Sequence, residues 1–374
     1  MTVRSEPDLP REFDAVVPNA LTVRLGVDLP IVQAPMAGSS GVDLAVAVAR
    51  AGGLGSLPAA MLTAEQLVEQ VDEFRRGANA AINVNFFCHH EAQVSRRVLE
   101  EWSDSLARFD RELGVDRADV RTTPRNPFDE DACRLVERCR PEVVSFHFGL
   151  PDPKFVERVR ATGAVVMSSA TTVAEAVWLE AHGCDVVIAQ GAEAGGHRGM
   201  FLTEDVAAQP GTIALVPRVV DAVDLPVIAA GGIADGRGIA DALVLGASAV
   251  QIGTAYLLCP EALTTPVHRL ALAGGSADDT VVTNVFTGRP ARGRRNRFID
   301  ELGPLSPHAP PFPAAAAAVA PLRAAAEALG SGDFSPLWSG QAGVATADVP
   351  AYDLTRRFMR ELDAALANAV GRPA

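Results

Sequence analysis

The chain has a single lysine, Lys154, in 374 residues, and its basic charge is otherwise all arginine. It also has only two tyrosines, three tryptophans and five cysteines. Cys88, Cys133, Cys139, Cys184 and Cys259 form no CxxC pair and no metal-like spacing, so neither a disulfide framework nor a metal site is expected. The thiols read instead as reduced and mostly buried. No uninterrupted apolar run reaches the ~20 residues that a membrane-spanning helix needs. The opening MTVRSEPDLPREFD lacks the apolar stretch of a secretory leader, and the expectation is a soluble, cytoplasmic protein. A formal charge of −13 argues against nucleic acid or an anionic membrane surface as partner. HExxH, paired-carboxylate and GxSxG patterns are all missing, which leaves metal-dependent hydrolysis, glycosidase and serine hydrolase chemistry without support.

What is abundant is aliphatic. Hydrophobic residues make up 48% and aromatics only 5%, a core composition that suits parallel strands covered on both faces. Apolar runs ending in small or polar residues recur from Ile31 to Ile252, and helical patterns separate them. About eight such strands predict a (β/α)8 TIM barrel over 21–260. A doubly wound sheet would need an early GxGxxG turn, which is absent. Residues 88–140 are charged and helical in pattern, and read as an insertion with extra helices. Residues 1–20 read as a polar lead-in, and 261–345 as a helical cap without strand rhythm. The segment 346–374 reads as an amphipathic helix returning to the barrel wall.

The stretch VVIAQGAEAGGHRG at 186–199 concentrates the chemistry. A buried strand ends at Gln190, and the glycines Gly195 and Gly196 let backbone approach a flat or phosphorylated ligand and leave His197 exposed on a loop. Two late loops, Ala230-Gly231-Gly232-Ile233 and Gln251-Ile252-Gly253-Thr254, predict a backbone cradle for a phosphorylated cofactor or substrate. Asn85 and Gln190 end apolar strands, either as caps or as hydrogen-bonding partners of a heterocycle edge. Asn83 shares a strand face with Asn85, which lies nearer the loop. Ala34, Pro35 and Met36 end the first strand, where Met36 offers a soft apolar surface to a ring or simply fills the core. Alternation places Ser145, His147 and Gly149 on one inward face, and His147 is either a core histidine or one that meets substrate. His89 and His90 are expected at the rim.

These pieces together resemble the nitronate monooxygenase family, formerly the 2-nitropropane dioxygenases, which are FMN-dependent barrels. The matching segments are QAPMAG at 33–38, NVNFF at 83–87, SFHFG at 145–149, AQGAEAGGHRG at 189–199, PVIAAGGIADGRG at 226–238, QIGTAYL at 251–257, TGRPARG at 287–293 and LWSGQAG at 337–343. The resemblance implies FMN contacts from Asn85, Gln190, Gly195, Gly232 and the run Gln251 to Thr254. It implies His197 as the catalytic histidine and His147 as a second one. SFHFG and the long C-terminal region are similar to the class I branch, which implies oxidation of alkyl nitronates of the propionate 3-nitronate type with O2 to a carbonyl compound plus nitrite and nitrate. Where class I members place tyrosines and a lysine, this chain has FPAAAAAVA at 312–320, implying a larger, more apolar pocket. Two other readings share these features: an FMN-dependent, NAD(P)H-using enoyl reductase, and a non-catalytic FMN-binding barrel. The C-terminal helices, rich in Ala and Leu, permit a homodimer.

Overall fold

The computed structural model describes residues 19–90, 92–117, 126–274, 279–343 and 348–369. Most of the expected lead-in and the junction at 345 lie outside these. Strands β1 (Ile31–Gln33), β2 (Gly55–Pro58), β3 (Ile82–Phe87), β4 (Val143–His147), β5 (Val165–Ala170), β6 (Val186–Gln190), β7 (Gly196–His197), β8 (Val227–Ala230), β9 (Ala249–Ile252), β10 (Thr280–Thr283) and β11 (Ala291–Arg294) follow in chain order. The helices are α1 (Ala20–Leu25), α2 (Val42–Arg50), α3 (Ala64–Gly77), α4 (Arg96–Leu113), α5 (Glu130–Cys139), α6 (Pro153–Ala161), α7 (Val173–Ala181), α8 (Thr212–Val220), α9 (Gly236–Val244), α10 (Pro266–Gly274), α11 (Arg297–Leu302), α12 (Ala314–Ala328) and α13 (Ala351–Ala369).

Strands buried on both faces must be covered on both, and every residue of β1, β2, β5, β6 and β8 is buried. Eight strands pair in parallel in the order β1-β9-β8-β6-β5-β4-β3-β2. A parallel bridge between Val32 and Leu54 joins the two ends, with Leu54 N donating to Ile31 O and Gln33 N to Leu54 O. The expected (β/α)8 barrel is therefore present and closed. Alternation sorts the side chains: Val186 and Ile188 face the interior with Val32, Met167 and Ile228, while Val187 and Ala189 face the helix layer. Helix α1, unanticipated, plugs the amino-terminal end with Leu21 and Leu25. An Asn19–Thr22 capping box starts it, and Asn19 Nδ2 donates to Ser248 O. At the C-terminus, Phe358, Met359 and Leu362 of α13 enter the outer core beside α9 and α2.

Two expectations need correction. Within 88–140, α5 is the ordinary crossover helix between β3 and β4, with Cys133, Val136 and Cys139 packed in the barrel's outer core. Only α4 is extra. It leaves the barrel and joins the C-terminal region, where Trp102, Leu106 and Phe109 form one core with Phe298, Val319, Leu322 and Phe334. The cap is thus built from two segments far apart in sequence. Nor is the cap purely helical: β10 and β11 pair antiparallel, and β11 also pairs with β7 from the barrel's own loop. Strands of four and two residues, with β7 nearly a hundred residues from its partner β11, leave little local periodicity to read. Among the described residues no helix is long and apolar enough to cross a membrane.

Candidate active site

The carboxyl ends of the strands open onto a cavity whose empty space, counting the part open to solvent, is about 1340 Å³. Ala34, Pro35, Met36, Asn85, His147, Gln190, Gly195, Gly196, His197, Gly231, Gly232, Gln251, Gly253 and Thr254 all line it. Ile252 does not. Its side chain is fully buried in the outer core, because it follows inward-facing Gln251 and alternation turns it toward the helices. Only its carbonyl serves the site, accepting from Ala34 N at 2.8 Å.

Asn85 reaches the cavity and Asn83 stays one layer below. Asn83 Nδ2 donates to Ser56 Oγ at 3.0 Å, whereas Asn85 Oδ1 accepts from Ser145 Oγ at 2.9 Å. Gln33 secures the neighbouring strand end, accepting Ser56 N at 2.9 Å and donating to Ala34 O. At the opposite wall Gly231 (φ 112°) and Gly232 (φ 72°) make a turn that side-chain-bearing residues rarely adopt. No protein acceptor meets the backbone N–H of Gly232 or Gly253 among the described residues. Thr254 Oγ1 accepts from Gly340 N at 2.9 Å, which leaves its own proton to donate. Gln251 Oε1 is buried without a partner, an acceptor aimed at nothing the chain supplies.

His197 is not on a free loop, as its glycines suggested. It is half-buried in β7, paired across to Ala291 of β11, so the cap sheet fixes its backbone. Its Nε2 lies 3.0 Å from Thr287 Oγ1. Its ring sits among Phe87, Phe148, Phe312 and Trp338, at centroid distances of 6.2, 6.0, 5.4 and 5.5 Å. Gly195 comes so near the cap that a Cβ there would lie 2.6 Å from Gly340 N, so barrel loop and cap meet backbone to backbone.

The carbonyl of His197 accepts two side-chain donors, His147 Nε2 at 3.2 Å and Gln190 Nε2 at 3.1 Å. Gln190 Oε1 in turn accepts from Gly199 N at 2.8 Å, so this glutamine clamps the loop on both sides of Arg198. A carbonyl cannot donate, so His147 carries its proton on Nε2. Burial above all, with the fields of Arg289 and Arg198 adding, pushes its pKa down to about 4, and the ring is neutral. Its Nδ1 then accepts from Ser169 Oγ at 3.0 Å. Both ring nitrogens of His147 are thereby engaged.

Several participants were not singled out from the sequence, although Glu193, Arg198, Thr287 and Trp338 lie in the matching segments. Arg198 is fully buried with no carboxylate contact among the described residues: Nε donates to Gln209 Oε1 at 2.6 Å, and the two Nη atoms to the carbonyls of Ala194, Gln190 and Gly191 at 3.2, 3.3 and 2.7 Å. Burial lowers its pKa to about 10, still cationic at neutral pH. Glu193 receives Thr212 N and Thr212 Oγ1, each at 2.8 Å on one oxygen, at the start of α8. Ser169, Thr287, Trp338 and His268 are further examples, brought in by other strands or by the cap. Both His89 and His90 line an adjoining cavity; His90 is exposed at its rim, whereas His89 is buried and stands edge-on to Phe312 at 4.7 Å. Of the segment 312–320 only Phe312 lines either cavity. Ala315 and Val319 face the cap core, with Ala318 packed against it.

A closed barrel with an apolar cavity at the strands' carboxyl ends, lined by glycine-rich loops and two histidines, belongs among the barrel enzymes. The model of the family described as nitronate monooxygenase matches residues 19–361. A nitronate monooxygenase of Pseudomonas aeruginosa is 43% identical over 342 residues, covering 90% of this chain and 97% of the relative. The solved nitroalkane oxidase of Streptomyces ansochromogenes superposes with a TM-score of 0.85 at 37% identity, covering 93% of this chain and 99% of that one. The enoyl reductase domain of MlnA from Bacillus amyloliquefaciens, with a TM-score of 0.63 at 10% identity over 94% and 98% of the two chains, shares the fold alone. The chain belongs to the nitronate monooxygenase family and is an oxidoreductase.

Proposed function

We propose that the protein is an FMN-dependent nitronate monooxygenase, oxidising alkyl nitronates with O2 to a carbonyl compound plus nitrite or nitrate. The observation that carries this reading is the placement of His197, fixed by the cap sheet at the mouth of a pocket whose far wall is a glycine cradle. The pocket fits FMN. The orphan Gln251 Oε1 suits a ring N–H, and the Gly232 and Gly253 N–H groups with the Thr254 hydroxyl suit a phosphate. Asn85 and Met36 flank the space for the ring. Bound there, FMN supplies the acceptor for electrons from the nitronate and their donor to O2.

The Thr287 hydroxyl, giving its one proton to Arg289 O at 3.3 Å, accepts from His197 Nε2–H, so the neutral ring keeps its lone pair on Nδ1. In that form His197 serves as base toward a nitroalkane carbon acid, and protonated it binds the nitronate anion. His147, with both nitrogens engaged, acts as a positioning residue that holds the His197 carbonyl. Phe87, Phe148 and Phe312 exclude water around both rings. In the overall reaction one oxygen atom reaches the carbon for each nitrite released, and a whole O2 is consumed for each nitrate.

Oxygen uptake on adding propionate 3-nitronate without NAD(P)H tests the reading. Rapid uptake is expected, lost in His197→Ala while the flavin absorbance of the purified protein is retained. A flavin-loaded protein that ignores nitronates but oxidises NAD(P)H with an unsaturated acyl substrate would overturn it in favour of the enoyl-reductase chemistry.

A further inference from the structure

A second cavity, with empty space of about 2130 Å³ counting its open part, lies behind the aromatic residues that surround the two histidines. Phe148 and Phe312, 5.7 Å apart, belong to its wall and also pack on His197. Apolar groups dominate this wall, Trp178 and Phe201 among them, and the carboxylates of Asp152 and Glu204 also line it. Arg289 is set among them. Its guanidinium carbon lies 4.0 Å over the Phe148 ring, and one Nη donates to Met200 O. Its Nε is buried and meets no acceptor, and no ion pair among the described residues includes it. Glu204 and Glu175 are the acids whose fields reach it, and Glu175 already receives Thr171 N, Thr171 Oγ1, Phe201 N and Leu202 N.

Taking an arginine out of water without an anionic partner is costly, and the planar fork matches a carboxylate. Burial lowers the guanidinium pKa only to about 10, so it stays cationic at neutral pH. The site also adjoins the chemistry. Arg289 N approaches Thr287 Oγ1, the same hydroxyl that meets His197 Nε2. With the guanidinium 4.0 Å from the Phe148 centroid and that centroid 6.0 Å from His197, the charge stands within 10 Å of the histidine ring.

We propose that this cavity binds a carboxylate borne on an apolar chain, with Arg289 as its receptor, and that it holds the far end of an acidic substrate whose reacting carbon lies at His197. The part concerning substrate rests on the nitronate reading. The site itself does not. Arg289 would then be a specificity-determining residue, favouring nitronates that end in a carboxylate over neutral ones.

Two measurements separate the claims. In calorimetric titration of the flavin-loaded enzyme, hexanoate is expected to bind at least tenfold more tightly than 1-hexanol. Arg289→Gln should cost hexanoate that margin, and Arg289→Lys should restore part of it. In oxygen uptake, Arg289→Gln should raise KM for propionate 3-nitronate tenfold or more and KM for propyl 1-nitronate less than threefold. Equal binding of hexanoate and hexanol, or an Arg289→Gln variant that weakens both nitronates alike, would overturn the proposal and mark Arg289 as a packing residue. Hexanoate binding through Arg289 in an enzyme that oxidises no nitronate would support the anion site and sink the nitronate reading alone.

Discussion

His268 allows a pH prediction whose sign and size both follow from its surroundings. It lies on α10, is 6% exposed, and its Nε2 donates to Trp338 O at 3.0 Å, tying the helix to the strand-like segment beside His197. Burial above all, with Arg323 adding, lowers its pKa from 6.5 to about 4. Above pH 6.5 neither the folded nor the unfolded chain is protonated there, and the folded state keeps its full stability. As the pH falls toward 4 the unfolded chain takes up a proton that the folded chain refuses, and stability drains away. A gap of about 2.5 pH units corresponds to about 3 kcal/mol. For a chain of 374 residues that is about 4 °C in Tm. His268→Gln keeps an amide donor but cannot titrate, and its poorer fit should cost about 1 kcal/mol. The variant is therefore expected to melt about 1 °C below the wild type at pH 7.5 and above it at pH 4.5, the two curves crossing between about pH 5 and 6. Carboxylates and His147 titrate in both proteins and cancel in the difference. Thermal melting by circular dichroism across that range, at fixed FMN, is the assay. Parallel curves that never cross would refute the reasoning.

Arg198→Met removes the guanidinium donors to the Gln190, Gly191 and Ala194 carbonyls and to Gln209 Oε1, leaving Gly191 O only its bond from Ala194 N, and should destabilise by at least ~3 kcal/mol because buried acceptors lose their partners. A wild-type Tm in that variant would contradict the role given to the guanidinium. Ser169→Ala deprives His147 Nδ1 of its donor, a loss of about 1 kcal/mol, and should lower kcat for nitronate roughly fivefold with flavin retained. Unchanged oxygen uptake would show that the His147 ring needs no such support.

The barrel was legible because its strands are short aliphatic runs buried on both faces, a pattern set by composition within each segment. Residues that line the candidate site were legible where an element's end announces itself, as with Asn85, Gln190 and the Gly231-Gly232 turn. Alternation was also available to exclude Ile252, since Gln251 before it had already claimed the inward direction. What escaped notice depends on partners remote in sequence. Ser169 matters only because β5 lies beside β4, and Thr287 because β11 turns its loop onto β7. Trp102 looks like part of a surface insertion until Phe109 beside it meets Phe298 and Phe334 across nearly two hundred residues.

That long-range pairing bears directly on the chemistry. The barrel supplies the rigid half of the pocket, closed by ladder hydrogen bonds around the full ring. The histidine we propose as the reacting group is held from both sides: its backbone pairs with β11 of the cap sheet, its ring packs on Phe312 and Trp338 of the cap as well as Phe87 and Phe148 of the barrel, and its carbonyl is tied to the barrel through His147 and Gln190. Any movement of the cap must therefore carry the His197 ring with it or break the β7–β11 pairing. Gly195 and Gly340, in contact without side chains between them, leave no slack to absorb such movement. On the proposed reading, mutations in the cap core, such as Phe334→Ala, should accordingly lower turnover more than flavin affinity, because the Gly232 and Gly253 turns belong to the barrel whereas the His197 strand is held in place by the cap sheet.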